Sequence, residues 1–247
     1  MNVSIGLDVS LASTAICVLG PQGRIVEELQ AESEPEALVH AVKSLPYQID
    51  AVGLEAGPLS QWLSKEIEKA GFDVVLMETR LVKASLKAMP IKTDRRDAQG
   101  IARLLQMGWY RQVHRKSVSS QEIRALLTAR KSIQQAIINI ELSMRGVLRN
   151  FGLKIGQVTA IRYEARVREL IDQNELLSAA ALPLLRARNH LRTELAGFDT
   201  KITGLAEHDD VSRLMMTMPG VGPIVALTVR SAIDDPARFA KSKDIGP

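Results

Sequence analysis

The sequence predicts a mixed α/β domain over residues 1–117, a helical region over 118–205 and a short third segment over 206–247. Three observations lead there. Apolar residues alternate with a period of two in three early runs separated by turn residues, the mark of strands. From residue 34 onward, amphipathic helical patterns take turns with short apolar runs. Beyond residue 118 apolar positions recur every three or four residues, and no strand pattern appears.

In the first strand, residues 3–8, Val3, Ile5 and Leu7 alternate, Gly6 allows a close backbone approach, and the run ends at Asp8. The second, 13–20, carries the apolar run Ala15, Ile16, Cys17, Val18 and Leu19. Pro21-Gln22-Gly23 is a turn signal. Residues 25–29 complete an antiparallel meander. A helix follows over 34–45, with Leu38, Val42 and Leu45 on one face. The fourth strand, 51–55, ends in Glu55 and is broken by Gly57-Pro58. A helix over 60–71 shows Leu59, Leu63, Ile67 and Ala70 and stops at Gly71. The fifth strand is 72–77, and helices follow at 80–88 and 94–107. Three hairpin-connected strands and then helix, strand, helix, strand, helix is the order of a ribonuclease-H-like (RuvC-like) α/β domain.

Composition narrows the function. The chain has 247 residues, 46% of them hydrophobic, so it can bury a substantial core. No apolar run approaches the roughly 18 residues that a membrane span needs, and the start Met-Asn-Val-Ser-Ile-Gly-Leu-Asp lacks the features of a signal peptide. A cytoplasmic protein with no membrane partner is expected. Cys17 is the only cysteine, which excludes a disulfide framework and a cysteine zinc site. His40, His114, His190 and His208 show no ligand spacing. The net charge of +4 is unevenly spread. Residues 1–79 hold 4 Lys/Arg against 12 Asp/Glu, whereas residues 80–117 hold 10 against 2. This asymmetry points to a polyanionic partner. The basic residues Arg80, Lys83, Lys87, Lys92, Arg95, Arg96, Arg103, Arg111, Arg115 and Lys116 are therefore candidate nucleic-acid contacts, although Lys and Arg also suit any solvated helical surface.

Within that basic stretch lies Lys92-Thr93-Asp94-Arg95-Arg96-Asp97-Ala98. Residues at i and i+3 of a helix share a face, so Asp94 and Asp97 can point to one place. Taken alone, a helix cap and a dipole-complementing acid explain them somewhat better than a site does. Asp8 and Glu55 change the balance. Both end strands, and the carboxyl ends of adjacent strands in an open α/β sheet converge on the functional crevice. Three separate stretches thus send four acids to one location. Oxygen ligands suit Mg²⁺ or Mn²⁺, which keeps waters that a phosphate can displace.

In the helical region, Ile123, Leu126, Ile133, Ile137, Ile140, Met144, Val147 and Phe151 form one seam, interrupted by Arg130. A second runs Leu184, Leu191, Leu195, Phe198, Ile202 and Leu205, interrupted by Arg188. Such coiled-coil-like seams build an antiparallel hairpin or a homo-oligomer. In the last segment, Met218-Pro219-Gly220-Val221-Gly222-Pro223 precedes an apolar helix. The pattern resembles a helix-hairpin-helix element, in which Gly220 and Gly222 would bring backbone N–H groups to a phosphate.

Ile5-Gly6-Leu7-Asp8-Val9-Ser10, Leu54-Glu55-Ala56, Lys92-Thr93-Asp94-Arg95-Arg96-Asp97-Ala98 and Met218-Pro219-Gly220-Val221-Gly222-Pro223 together resemble the DEDD transposases of the IS-one-ten family of insertion sequences. The resemblance covers essentially the whole chain. It implies a RuvC-like N-terminal domain, a helical coiled-coil insert and a C-terminal transposase domain. It also implies recombination of DNA guided by a structured RNA. Asp8, Glu55, Asp94 and Asp97 match the family's acidic tetrad, which implies catalytic and metal-binding roles. The family's nucleophilic serine lies in a segment beyond the Pro-Gly-Val-Gly hairpin. The sequence is expected to stop before it, and Ser231 and Ser242 lie too early to match. Two other readings remain open: a metal-dependent Holliday-junction nuclease using water, and a catalytically inactive nucleic-acid binder. A sugar-kinase or actin-like ATPase is disfavoured, because Asp8-Val9-Ser10-Leu11-Ala12-Ser13 lacks the glycine-rich phosphate loop.

Overall fold

Strand β1 (Asn2–Val9) is the middle of a five-stranded sheet ordered β3-β2-β1-β4-β5. The computed structural model describes residues 1–87 and 94–245. Lys92, one of the expected nucleic-acid residues, lies outside the described residues, as does Thr93. The chain divides into two compact units, Met1–Lys116 and Ser117–Pro247. Among the described residues no helix is long and apolar enough to cross a membrane.

In the first unit, β2 (Ser13–Leu19) and β3 (Ile25–Glu32) form the expected meander with β1, all antiparallel. β4 (Gln48–Glu55) and β5 (Val74–Met77) then join in parallel beyond β1. The meander followed by two further strands is the succession the sequence predicts; the order within the sheet and the parallel direction of β4 and β5 are what the structure adds. β3 and β4 are longer than the apolar runs alone indicate. Their added residues, Gln30-Ala31-Glu32 and Gln48-Ile49-Asp50, alternate polar with apolar over only three positions and are held by backbone pairing to a neighbouring strand, which apolar patterning does not reveal.

The period of two sorts side chains onto two faces. Ile5, Leu7, Val52 and Leu54 pack with Leu38 and Val42 of α1 (Pro35–Lys43) and with Leu63 and Ile67 of α2 (Ser60–Lys69). The opposite face meets α4 (Asp94–Gln106), which supplies Ala98, Ile101, Ala102 and Leu105; Val82 of α3 (Thr79–Lys87) joins the same side. Gly6 of β1 lies under α4. A Cβ at that position would sit 2.2 Å from the Ala98 carbonyl oxygen and 2.4 Å from the Ala102 nitrogen. Only glycine lets the helix backbone approach this closely. After α4 the chain returns beside β5. Val113 N–H donates to the Leu76 carbonyl and Glu78 N–H to the Arg111 carbonyl, which covers the sheet edge.

The second unit is helical throughout its described regular elements. α5 (Val118–Arg149) and α7 (Glu175–His208) pack against each other. The two arginines that interrupt the seams both reach across: Arg130 pairs with Asp199 at 2.6 Å, and Arg188 with Glu141 at 2.6 Å. α5 advances from 130 to 141 as α7 retreats from 199 to 188, so the helices run antiparallel. Arg188 is 1% exposed and stacks 4.3 Å from the Tyr163 ring, which opens α6 (Tyr163–Ile171). The buried rows are turned slightly from the expected seams. Leu148, Leu185 and Ala206 are buried, while Val147, Phe151 and Leu205 are exposed.

α8 (Asp210–Met216) and α9 (Pro223–Ile233) flank a tight turn in which Gly220 takes φ +83°, a conformation open to glycine. At the end of α9, Asp234 adopts φ 64° and accepts hydrogen bonds from Ser117 N–H at 2.8 Å and from the Ser117 and Ser120 hydroxyls at 2.5 Å each. It thereby supplements the N-cap of α5.

Candidate functional site

The first unit contains a cleft of about 840 Å³ at the carboxyl ends of β1 and β4. Asp8, Glu55, Asp94 and Asp97 all line it. Local structure explains each position. Asp8 lies two residues beyond Gly6 and Glu55 two beyond Gly53, so each acid shares the α4 face of the sheet with its glycine. Asp94 and Asp97 occupy the first turn of α4. Asp94 is four residues before Ala98, the residue packed on Gly6, and Asp97 is four before Ile101, which flanks Gly53. The close packing of α4 on the glycines thus carries its first turn to the strand ends. Asp8, Glu55 and Asp97 are half-buried and Asp94 is exposed. Asp94 also borders a second hollow of about 410 Å³ with Glu28, Gln30 and Arg95.

α3 adds Lys83 and Lys87, one turn apart, to the cleft wall. Lys83 Nζ stands 3.9 Å from Glu55 Oε1, with the lysine side chain 72% and the glutamate 24% exposed. At that distance and exposure the pair contributes at most about 1 kcal/mol. The loop after Glu55 is fixed by its own bonds. Ser60 Oγ donates to the Gly57 carbonyl at 2.7 Å and accepts from Gly57 N–H at 2.9 Å, and Thr79 Oγ1 donates to the Ala56 carbonyl at 2.6 Å.

The donor chemistry, four carboxylates on one cleft, fits a hard divalent cation. Among the described residues, however, no three Asp, Glu, His or Cys side chains form a group that could hold one ion. The cleft gathers the carboxylates without closing them around a single point.

The basic residues divide. Lys83 and Lys87 line the cleft, and Arg95 borders the second hollow. Arg80 and Arg103 are exposed and line neither. Arg96 is half-buried on α4. Arg111 lies 3.8 Å from Glu78. Arg115 is a strut: it donates to the Ser64 carbonyl at 3.3 Å and pairs with Glu68, and its hydrogen bond holds the Glu68 carboxyl below the usual range. Lys116 N–H donates to Gln61 Oε1 at 3.1 Å. Gly220 and Gly222 lie in the second unit, Gly222 immediately before α9. Sequence reasoning did not single out Ser10, Leu11, Ser60, Thr79 or Leu86 as cleft residues. Their nearness to Asp8, Glu55 and Lys83 in the chain is the signal that could have found them.

Comparison with known proteins adds the family. A transposase model of the DEDD, IS110 type matches residues 5–152, and a model of the transposase IS116/IS110/IS902 family matches residues 212–247. The chain is 25% identical over 249 residues to the transposase for insertion sequence element IS1111A of Coxiella burnetii, covering 98% of this chain and 66% of that protein. It is also 25% identical over 197 residues to a probable family 20 transposase of Pseudomonas aeruginosa, covering 76% and 56%. It spans about half to two thirds of the length of the curated relatives it matches. Among solved structures, Thermus thermophilus RuvC aligns with 45% of this chain and 99% of its own at 14% identity and a TM-score of 0.34. With more than half of its residues matched by one model and its last stretch by the second, the chain belongs to the DEDD transposases of the IS110 (IS-one-ten) insertion-sequence family.

Proposed function

We propose that this chain acts in transposition of an insertion sequence, engaging DNA at the cleft of its first unit for phosphodiester strand transfer. One observation carries the reading: a single cleft is lined by Asp8, Glu55, Asp94 and Asp97 together with Lys83 and Lys87. Asp8, Glu55, Asp94 and Asp97 supply the carboxylates for a divalent cation, Mg²⁺ or Mn²⁺, which would have to draw them closer together than they stand here. When bound, such a cation stabilises charge on reacting phosphate oxygens. The chain's own residues do the rest. Lys83 and Lys87 attract the phosphodiester and set its approach. The Gly57–Ser60 bonds and the Thr79 hydroxyl keep the Glu55 loop from yielding to the polyanion. Exposed Arg80, Arg95 and Arg103 extend the positive surface along the backbone, where counterion release drives binding.

In the second unit, residues 118–205 serve as a coiled-coil-like module for homo-oligomer contacts, and residues 206–247 as a transposase module. The α8–α9 turn works as a helix-hairpin-helix element: Gly222 supplies no side-chain cap, which leaves the first N–H groups of α9 for a phosphate. A structured guide RNA is the second nucleic acid that the basic surfaces serve.

Titration calorimetry with Mn²⁺ tests the cation site. Asp94→Asn and Asp97→Asn should each weaken binding while circular dichroism shows the fold intact. Unchanged affinity in both variants would remove the site from consideration. With labelled donor and target DNA, metal-dependent nicks without a covalent protein–DNA adduct would favour the water-using nuclease instead.

A further inference from the structure

The turn that follows Asp8 presents an apolar side chain to solvent. Leu11 is 82% exposed and lines the cleft. The turn that carries it is well tied. Ser10 Oγ donates to the Ser13 carbonyl at 2.6 Å, and Ser10 N–H donates to the same oxygen at 3.2 Å. Ser13 N–H reaches Ser10 Oγ at 3.4 Å, and Ser33 N–H reaches the Ala12 carbonyl at 3.2 Å. These bonds hold Leu11 outward instead of letting it fold back onto the sheet. An exposed leucine alone means little. Its surroundings give it meaning: exposed Pro58 and half-buried Leu59 and Leu86 line the same cleft, alongside Lys83 and Lys87.

A phosphate needs the lysines and no apolar wall. The apolar residues suit the flat face of a base. In a uniform duplex those faces are covered by stacking, so only an unstacked base can offer one. The cleft, at about 840 Å³, lies within the roughly 300–1,000 Å³ of pockets that enclose small organic groups. Apolar side chains inserted at base steps favour the same distortion.

We propose that the cleft takes a nucleotide whose base has left the stack, with Leu11 as the wedge against the base and Lys83 and Lys87 against the adjoining phosphates, so that unpaired DNA is preferred to uniform duplex. The proposal rests on reading the cleft as a DNA site.

The test uses the 247-residue chain, a fluorescein-labelled duplex with central mismatches and the same duplex fully paired, compared by anisotropy at one salt concentration. The unvaried chain should bind the mismatched duplex about five- to tenfold more tightly, the lower end of what one base contact contributes. Leu11→Ser should abolish that preference and Leu11→Met should retain it. The side chain is exposed, and thermal melting checks that both variants fold. Equal affinity of the unvaried chain for the two duplexes, or a preference that survives Leu11→Ser, overturns the proposal. Lys83→Ala with Lys87→Ala separates the two readings. If it changes neither affinity, the cleft is not a DNA site and both fall. If it weakens both duplexes while Leu11→Ser changes nothing, only the wedge falls.

Discussion

Gly6 and Gly53 are register partners on the parallel strands β1 and β4, and both lie beneath α4. Two residues further along each strand stands an acid of the cleft. The absence of two side chains and the placement of two carboxylates are therefore one arrangement: the glycines admit the helix, and the helix brings Asp94 and Asp97 to Asp8 and Glu55.

The two glycines should not respond alike to substitution. A Cβ on Gly6 meets backbone at 2.2 and 2.4 Å, which cannot step aside, whereas a Cβ on Gly53 meets the flexible Met77 Cε at 2.7 Å. Gly6→Ala should cost about 2–3 kcal/mol and lower the melting temperature of the first unit by roughly 10 °C. Gly53→Ala should cost about 1 kcal/mol or less. Calorimetric scans of the two variants check the order, and equal shifts would contradict it.

Cys17 offers a chemical probe of the same packing. Burial chiefly, with a contribution from Glu28 against the opposing charge of Arg103, pushes its thiol up to about 11. At pH 8 it is therefore protonated as well as enclosed, and the thiolate is the reactive form. Native protein should resist iodoacetamide at pH 8 and react fully in denaturant, with Gly6→Ala labelled faster than the unvaried chain. Prompt labelling of the native chain, read by mass spectrometry, would show the thiol accessible.

Lys83 should act in opposite senses on two ligands. It neutralises part of the Glu55 charge across 3.9 Å. Lys83→Ala should therefore leave Mn²⁺ binding equal or up to about fivefold tighter, the ceiling for an exposed pair. It should also weaken DNA binding across unrelated sequences and make the salt slope shallower by about one. If Lys83→Ala weakens metal binding, the lysine is supporting the acids instead of competing for them.

Arg188 and Arg130 separate burial from pairing. Arg188 is enclosed and also donates to the Ala160 carbonyl at 3.2 Å, while Asp199, opposite Arg130, is 47% exposed. Arg188→Met should destabilise the second unit by about 2–4 kcal/mol and Arg130→Met by less than about 1 kcal/mol. Urea unfolding followed by helical circular dichroism measures both.

The succession of strands along the chain and the meeting of four acids at one cleft were legible because each rests on local pattern. Val3, Ile5 and Leu7 alternate, Asp8 and Glu55 end their runs, and Asp94 opens a helical one. Arg188 was not legible in this way. In sequence it is a break in a seam, and its burial depends on Glu141 and Tyr163, both distant along the chain. Arg115 reads as one more cation in a basic stretch, yet it is committed to Glu68 and the Ser64 carbonyl. Composition records how many charges a segment holds; only the fold records which of them are already engaged. Leu11 was hidden for the converse reason, since an isolated leucine beside a strand is expected to be buried.

The Asp234 clasp has a consequence in time. Its partner Ser117 is 117 positions earlier in the chain, so the first turn of α5 emerges from the ribosome long before the carboxylate that completes its cap. Closing so long a loop adds little to the equilibrium cost, which grows only with the logarithm of its length. Contacts between residues this distant in sequence go with slow folding. The start of α5 therefore has only its own Ser117 cap until α9 has been made, and it is expected to fray more readily up to that point.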